Sequence, residues 1–167
     1  MPRVHKLSGR RYALIVAAVL CAGVIGVFAY RAYHAYRAPE PRLMSLADGT
    51  EIFYLSDTLI APSTDYPKTR ELRIDGEAFV RASAGARPLI IRTRQMVLTV
   101  TGATALRLTA HSNETGEEAD VRFGHVEATK AYASREHEPN ILLDGQEVMV
   151  NETIDLQEKE TADLPAL

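Results

Sequence analysis

Two hydrophobic patterns divide the chain. From Tyr12 to Tyr30 nineteen residues pass without a charge, whereas from Leu43 onward apolar and polar residues alternate. A spanning helix needs about 20 mostly apolar residues to cross a ~30 Å hydrocarbon core, so 12–30 reads as a transmembrane helix. Pro39 and Pro41 should end any helical continuation, because proline lacks an amide proton and restricts the residue before it. Strict alternation puts successive side chains on opposite faces, which only a strand does.

The alternation is tight in Glu71-Leu72-Arg73-Ile74-Asp75 and longest from Met96 to Ala110. Met96, Leu98, Val100, Leu106, Leu108 and Ala110 share one parity; Thr99, Thr101, Arg107 and Thr109 share the other. Gly102 falls on the apolar parity, which predicts a bend or bulge. Val121 and Phe123 give way to Val126 and Ala128 across Gly124-His125, a parity change that predicts a second bulge. Asp48-Gly49, Asp75-Gly76 and Asp144-Gly145 read as turns, since such pairs supply positive φ. The last lies between Ile141-Leu142-Leu143 and Val148-Met149-Val150, the outline of a hairpin. Asn113 to Glu118 and Ser134 to Asn140 read as polar loops, and no soluble segment holds a helical period. The expected fold is all-β, a sandwich or short stack of strands around one core, on a single N-terminal transmembrane helix. The divisions are a basic tail at 1–11, the spanning helix at 12–30, a juxtamembrane linker at 31–42, the β domain at 43–155 and an acidic tail at 156–167.

Charge sharpens this picture. The formal net charge of −3 conceals seven Lys/Arg and one Glu in 1–42 against twelve Lys/Arg and twenty-one Asp/Glu in 43–167, a net of −9 for the latter. Basic residues Arg3, Lys6, Arg10 and Arg11 before the apolar run favour a cytoplasmic N-terminus. The β domain is then periplasmic or otherwise extracytoplasmic, on the inner membrane, and its acidity argues against nucleic acid as a partner. Cys21, the only cysteine, excludes an intrachain disulfide.

Few residues suggest chemistry. No phosphate-binding glycine loop, nucleophile elbow or paired-cysteine metal motif occurs. His125 and Glu127 share a strand face, but two ligands are too few for a structural zinc site. His111-Ser112 has no ordering acid evident in the sequence, so a hydrolytic triad is not expected. The expectation is a protein without catalytic activity, metal or cofactor. Arg87, Arg92 and Arg94 form a basic cluster on an acidic domain; they are either outward-facing strand residues or a contact patch for an acidic partner surface.

The order of the segments resembles the periplasmic domain of FecR-type transmembrane regulators. Leu46-Ala47-Asp48-Gly49-Thr50 resembles that family's opening Leu-x-Asp-Gly-(Ser/Thr) turn. Gly76-Glu77-Ala78-Phe79-Val80 is similar to its Gly-Glu-Ala-aromatic strand, and Arg87-Pro88-Leu89-Ile90-Ile91-Arg92-Thr93 to its Arg-Pro-hydrophobic strand. Val100 to Leu108, with Gly102, resembles its Val-Leu-Gly-Thr-x-Phe-Asn-Val strand, although Leu106 and Arg107 replace Phe and Asn and one residue is inserted. Gly124-His125-Val126-Glu127-Ala128 and Leu142-Leu143-Asp144-Gly145-Gln146 resemble the last two motifs.

The resemblance covers residues 46–150 and implies structural roles for its motif residues. It also implies a place in envelope or cell-surface signalling, where FecR-type proteins relay a receptor signal to a sigma factor. Eleven residues before the spanning helix are too few for the family's sigma-binding domain. The expectation is therefore a membrane-anchored module that binds another envelope protein, a sensor, a receptor or a separate anti-sigma component. Sheet edges are the expected contact. The alternative is a lipid-handling envelope module of the LptC type, which shares a short tail, one helix and a β domain. An open apolar groove would favour it; a filled core would favour protein binding.

Overall fold

The computed structural model describes residues 23–31, 40–134 and 138–161. The chain falls into two units, Met1–Pro39 and Glu40–Leu167. In the first, 23–31 is helical and exposed; the rest of the predicted span, 12–22, lies outside the described residues. Among the described residues no helix is long and apolar enough to cross a membrane.

The second unit is all-β, as the alternation predicts. Its strands are β1 (Arg42–Ser45), β2 (Glu51–Tyr54), β3 (Leu59–Pro62), β4 (Glu71–Ala82), β5 (Leu89–Arg92), β6 (Met96–Ala110), β7 (Gly116–Lys130), β8 (Asn140–Leu142), β9 (Gln146–Asn151) and β10 (Leu156–Thr161). All ten belong to one sheet, ordered β1-β2-β4-β5-β6-β7-β9-β10, with β3 on β4 and β8 on β7. No α-helix among this unit's described residues covers the apolar face. The sheet buries that face against itself, and the inward side chains form one cluster that includes Ile52, Leu72, Ile74, Leu98, Leu106, Val121, Leu142 and Val148.

The parity predicted for β6 holds: Met96, Leu98, Val100, Leu106, Leu108 and Ala110 are all buried. Both expected irregularities occur where β6 meets β7, with register shifts between Thr101 and Ala105 and between Ala105 and Leu106. Gly124 has φ +108°, and a Cβ there would lie 2.4 Å from Thr104 Oγ1 and 2.9 Å from the Ala103 carbonyl, so the two strands can cross only at a glycine. One detail differs. Phe123 does not share the inward side with Val121. Ala105 pairs with Phe123 and Leu106 with Val121, so Arg122 is the extra residue and the parity flips before Phe123. Phe123 is therefore 56% exposed.

Three other expectations need correction. Asp75-Gly76 is not a hairpin turn but the middle of β4. Gly76 has φ +125°, and its missing Cβ makes room for Thr58, whose backbone would stand 2.7 Å away. The Thr58 hydroxyl donates to the Glu77 carbonyl at 2.8 Å and accepts from the Glu77 amide at 3.1 Å. Next, β8 and β9 do not form a hairpin. Each pairs antiparallel with β7, β8 at Val126–Ala128 and β9 at Gly116–Val121, so they lie end to end along one edge. The Asp144-Gly145 turn steps over the β7 bulge, where Asp144 accepts from the Gly124 amide at 2.7 Å. β2 and β3 run along β4 in the same interrupted way, stepping past Gly76. Finally, the predicted loop at Asn113 to Glu118 is too long. β7 begins at Gly116, and Glu117 faces inward. A charged residue on the inward parity hid the alternation. β10 extends the sheet into the stretch read as an acidic tail, pairing Leu156–Thr161 with β9.

Candidate protein-contact surface and the polar clusters beneath it

The opening Asp-Gly turn is tied into the sheet by a guanidinium. Arg70 sits in the left-handed region at φ +47°, between the β3–β4 loop and β4. Its Nε donates to Asp48 Oδ2 at 2.8 Å, its Nη1 to the Arg87 carbonyl at 2.5 Å and its Nη2 to the Ser83 carbonyl at 2.8 Å. Asp48 also accepts from the Thr50 amide and hydroxyl, both at 3.0 Å, while Ser83 Oγ donates to the Asp48 carbonyl at 2.6 Å. Burial opposes charge on Asp48. The Tyr66 hydroxyl, the Thr50 groups and Arg70 more than offset this and hold its carboxyl below the usual 3.8. The Tyr66 hydroxyl lies beside Asp48 but outside good hydrogen-bonding geometry. Its own burial, then the neighbouring Asp48 carboxylate, push it up to about 12. Gly85 leaves room for the guanidinium, since a Cβ there would be 2.3 Å from Nη1.

A second carboxylate is buried at the start of β7. Glu117 Oε2 accepts from the Thr93 hydroxyl and from the Gln95 amide at 3.0 Å, anchoring the β5–β6 turn. Gln95 continues the link, donating to the Thr115 carbonyl at 3.2 Å and accepting from the Glu152 amide at 2.7 Å. The other oxygen, Oε1, is buried without a partner. Here desolvation is the largest influence and pushes the carboxyl up, against the pull of Thr93, the Gln95 amide and nearby Arg94.

The motif residues take structural places. Asp48 and Gly49 form the first turn, and Gly49, Gly76, Gly102, Gly124 and Gly145 all have positive φ. Glu77 pairs with Arg107 at 2.6 Å, Phe79 stands against Phe53 with ring centroids 6.4 Å apart, and Leu106 is fully buried. Pro88 directly precedes β5. Of the three arginines read as a contact patch, Arg92 and Arg94 line one concavity of about 290 Å³ together with Arg73. Each already has an acidic partner, Arg92 with Glu71 at 2.5 Å and Arg94 with Glu152 at 2.9 Å. Arg87 does not line it; its side chain donates to the Lys68 carbonyl at 3.2 Å.

Among the described residues no group of three or more His, Cys, Asp or Glu could hold a metal ion. An acid does stand beside His111-Ser112, unlike the sequence expectation: Asp75 accepts from the Ser112 amide at 2.9 Å. That bond is the main reason its carboxyl lies below 3.8. Arg70, Ser83 and Glu117 are the site residues that sequence reasoning missed. Only the Asp48 turn motif hinted at the first cluster, and nothing marks Arg70.

The outward face carries apolar groups close to β1. Across the sheet, Leu43 is the cross-strand neighbour of Phe53, Phe53 of Phe79 and Phe79 of Arg107. A shallow concavity of about 180 Å³ lies on this row, lined by Pro41, Phe53, Leu55, Phe79 and Arg107 among others.

With the sheet described, likeness to known proteins can be placed. No family model matches the chain, and no curated protein does. Two crystal structures of a candidate anti-sigma factor from Parabacteroides distasonis ATCC 8503, at 1.65 and 2.50 Å resolution, share its fold with a TM-score of 0.64 and 26% sequence identity. The match covers 74% of this chain, and 57% and 56% of those chains, so this chain spans little more than half their length. The fold is thus of the anti-sigma-factor kind.

Proposed function

We propose that this chain is a FecR-like, membrane-anchored module that binds another protein in envelope or cell-surface signalling, without catalysis. The observation that carries the proposal is the fold shared with a candidate anti-sigma factor at a TM-score of 0.64. The ordered FecR-type motifs support it, since their glycines and Asp48 occupy the turns and bends of the sheet. The anchor is supported by 23–31, where Val24, Ile25, Val27, Phe28 and Tyr30 are exposed on a helix that carries no charge before Arg31, a composition suited to hydrocarbon rather than water. The basic residues before it support a cytoplasmic N-terminus, and with it a β unit outside the cytoplasm on the inner membrane. The interior favours protein over lipid as the ligand: Leu72, Ile74, Leu89, Ile91, Leu98 and Leu108 are at most 1% exposed and fill the space that an acyl chain would need.

The test is a pair of strains, one with the full chain and one with the β unit deleted, compared by transcriptome and by envelope lipid analysis. The expected result is a severalfold shift confined to one sigma-factor regulon, with protease added to spheroplasts digesting the β unit. Altered envelope lipids with an unchanged transcriptome would overturn the proposal in favour of lipid handling.

A further inference from the structure

An open strand edge can take an added strand, because its outward amides and carbonyls are unpaired. The described strands have four such edges, β1, β3, β8 and β10, each pairing with only one neighbour. Three of them are defended. On β3, the Ser63 amide donates to the Glu71 carbonyl. Antiparallel alternation then turns the backbone of Ile60 and Pro62 outward, and proline has no amide to offer. On β8, the outward carbonyl of Ile141 already accepts from Lys159 Nζ at 2.9 Å. β10 presents Glu158, Lys159 and Glu160 in succession, all exposed, and charged edges resist pairing.

Apart from exposed Arg42 at its first position, β1 has none of these devices. The Leu46 amide donates to the Thr50 carbonyl at 2.8 Å, so Met44 and Arg42 bond to β2, and the amides and carbonyls of Leu43 and Ser45 point away from the sheet. No proline, bulge or inward charge interrupts Leu43–Ser45. Leu43 is 54% exposed beside Phe53, and Met44 and Leu46 are only partly buried at this end of the core. An incoming strand would cover apolar groups on both faces of this edge.

We propose that β1 is the docking edge for an extended segment of a partner protein, with apolar residues opposite Leu43 and Met44 and basic residues flanking them. The assignment rests on the protein-binding reading above. Charge selects the occupant: with a net of −9 over residues 43–167, a second copy is repelled, whereas a segment carrying Lys or Arg is drawn in.

The probe is a synthetic peptide with the sequence of residues 50–55 preceded by two lysines. In antiparallel register it sets Phe against Leu43 and Ile against Met44, the same pairs that β2 makes. Amide hydrogen exchange is read by NMR on the full chain in mild detergent. Saturating peptide should slow exchange at Leu43 and Ser45 by about tenfold, and a scrambled peptide should not. Ser45→Pro deletes an outward donor that β2 does not use, so the fold should persist while protection at Leu43 is lost. Leu43→Lys keeps both donors and should weaken binding through the lost apolar contact. Three results would overturn the assignment: no change at Leu43 and Ser45 up to millimolar peptide, protection on β3, β8 or β10 instead, or self-association of the full chain abolished by Ser45→Pro. In cells, a partner that still crosslinks to the Ser45→Pro chain overturns the β1 edge but spares the protein-binding reading. No protein partner for either form removes both.

Discussion

Asp48 and Glu117 are both carboxylates taken out of water, and their surroundings act on them in opposite directions. Asp48 faces a guanidinium and two Thr50 donors, and its pKa is depressed. Glu117 faces a neutral hydroxyl and a backbone amide on one oxygen and nothing on the other, and its pKa is raised. Glu117 is the more deeply buried of the two, and it also lacks the pairing that Asp48 has. A buried charge persists where a counter-charge and enough hydrogen bonds replace its hydration, and is disfavoured where they do not. The first cluster is an ionic clamp that fixes the Asp-Gly turn to the sheet. The second is a peg, its charge disfavoured by desolvation, that locates the β5–β6 turn.

The largest effect should come from breaking the clamp. Asp48→Ala leaves the Arg70 guanidinium, whose side chain is 6% exposed, without its counter-charge. Removing one partner of a buried ion pair costs about 3–5 kcal/mol, to be read as a lowered urea midpoint. Unchanged stability would mean that Arg70 relaxes into solvent. Next in size, Gly85→Ala drives a methyl into the same guanidinium and should cost about 1–3 kcal/mol by overpacking.

Glu117→Gln tests the peg. Glutamine keeps an acceptor for Thr93 and Gln95 and cannot ionise, so at neutral pH the change should be within about 1 kcal/mol of the parent, in either direction. Its larger signature is the pH profile. Because the folded pKa of Glu117 lies above its reference of 4.5, its contribution is complete below that value and lost as pH rises through the raised one. Asp48, depressed below 3.8, contributes above that reference value and is lost as pH falls through the depressed one. Denaturation midpoints measured against pH should therefore keep their acid-side loss in Glu117→Gln and lose the decline on the other side. A decline that persists would assign it to another group. The smallest effect is expected beside the peg. A Cβ at Gly116 would meet only the Val150 carbonyl, at an ordinary 3.6 Å, so Gly116→Ala should shift stability by only about 0.4–1 kcal/mol, upward through reduced chain entropy.

What the pattern of residues revealed was geometry with a strict period. The inward row of β6, the bends at Gly102 and Gly124, and the all-β class follow from alternation and its interruptions. What it concealed depended on distant parts of the chain. Asp75-Gly76 spells a turn in local terms, and only the approach of Thr58 makes it the middle of a strand. Ile141–Val150 looks like a hairpin until β7 supplies a common partner for both halves. Arg70 belongs to no period, since its acceptors come from residues 48, 83 and 87. Glu117 reads as solvated because the Thr93 and Gln95 groups that receive it lie more than twenty residues away.

The order of the strands across the sheet bears on how the chain reaches this state. From β4 to β7 spatial order is chain order, and β2 and β3 flank β4 while β8 and β9 flank β7. Most strands therefore find their partners within a short stretch of chain, so loop-closure entropy is modest at each step. A sheet in this order can grow outward from the β6–β7 pair toward both ends, with β1 and β10 as its outermost additions. A sheet assembled in this way should fold toward the fast end of the millisecond-to-second range of all-β domains. It should also tolerate emerging one terminus at a time, because no early strand waits for a partner from the far end of the chain.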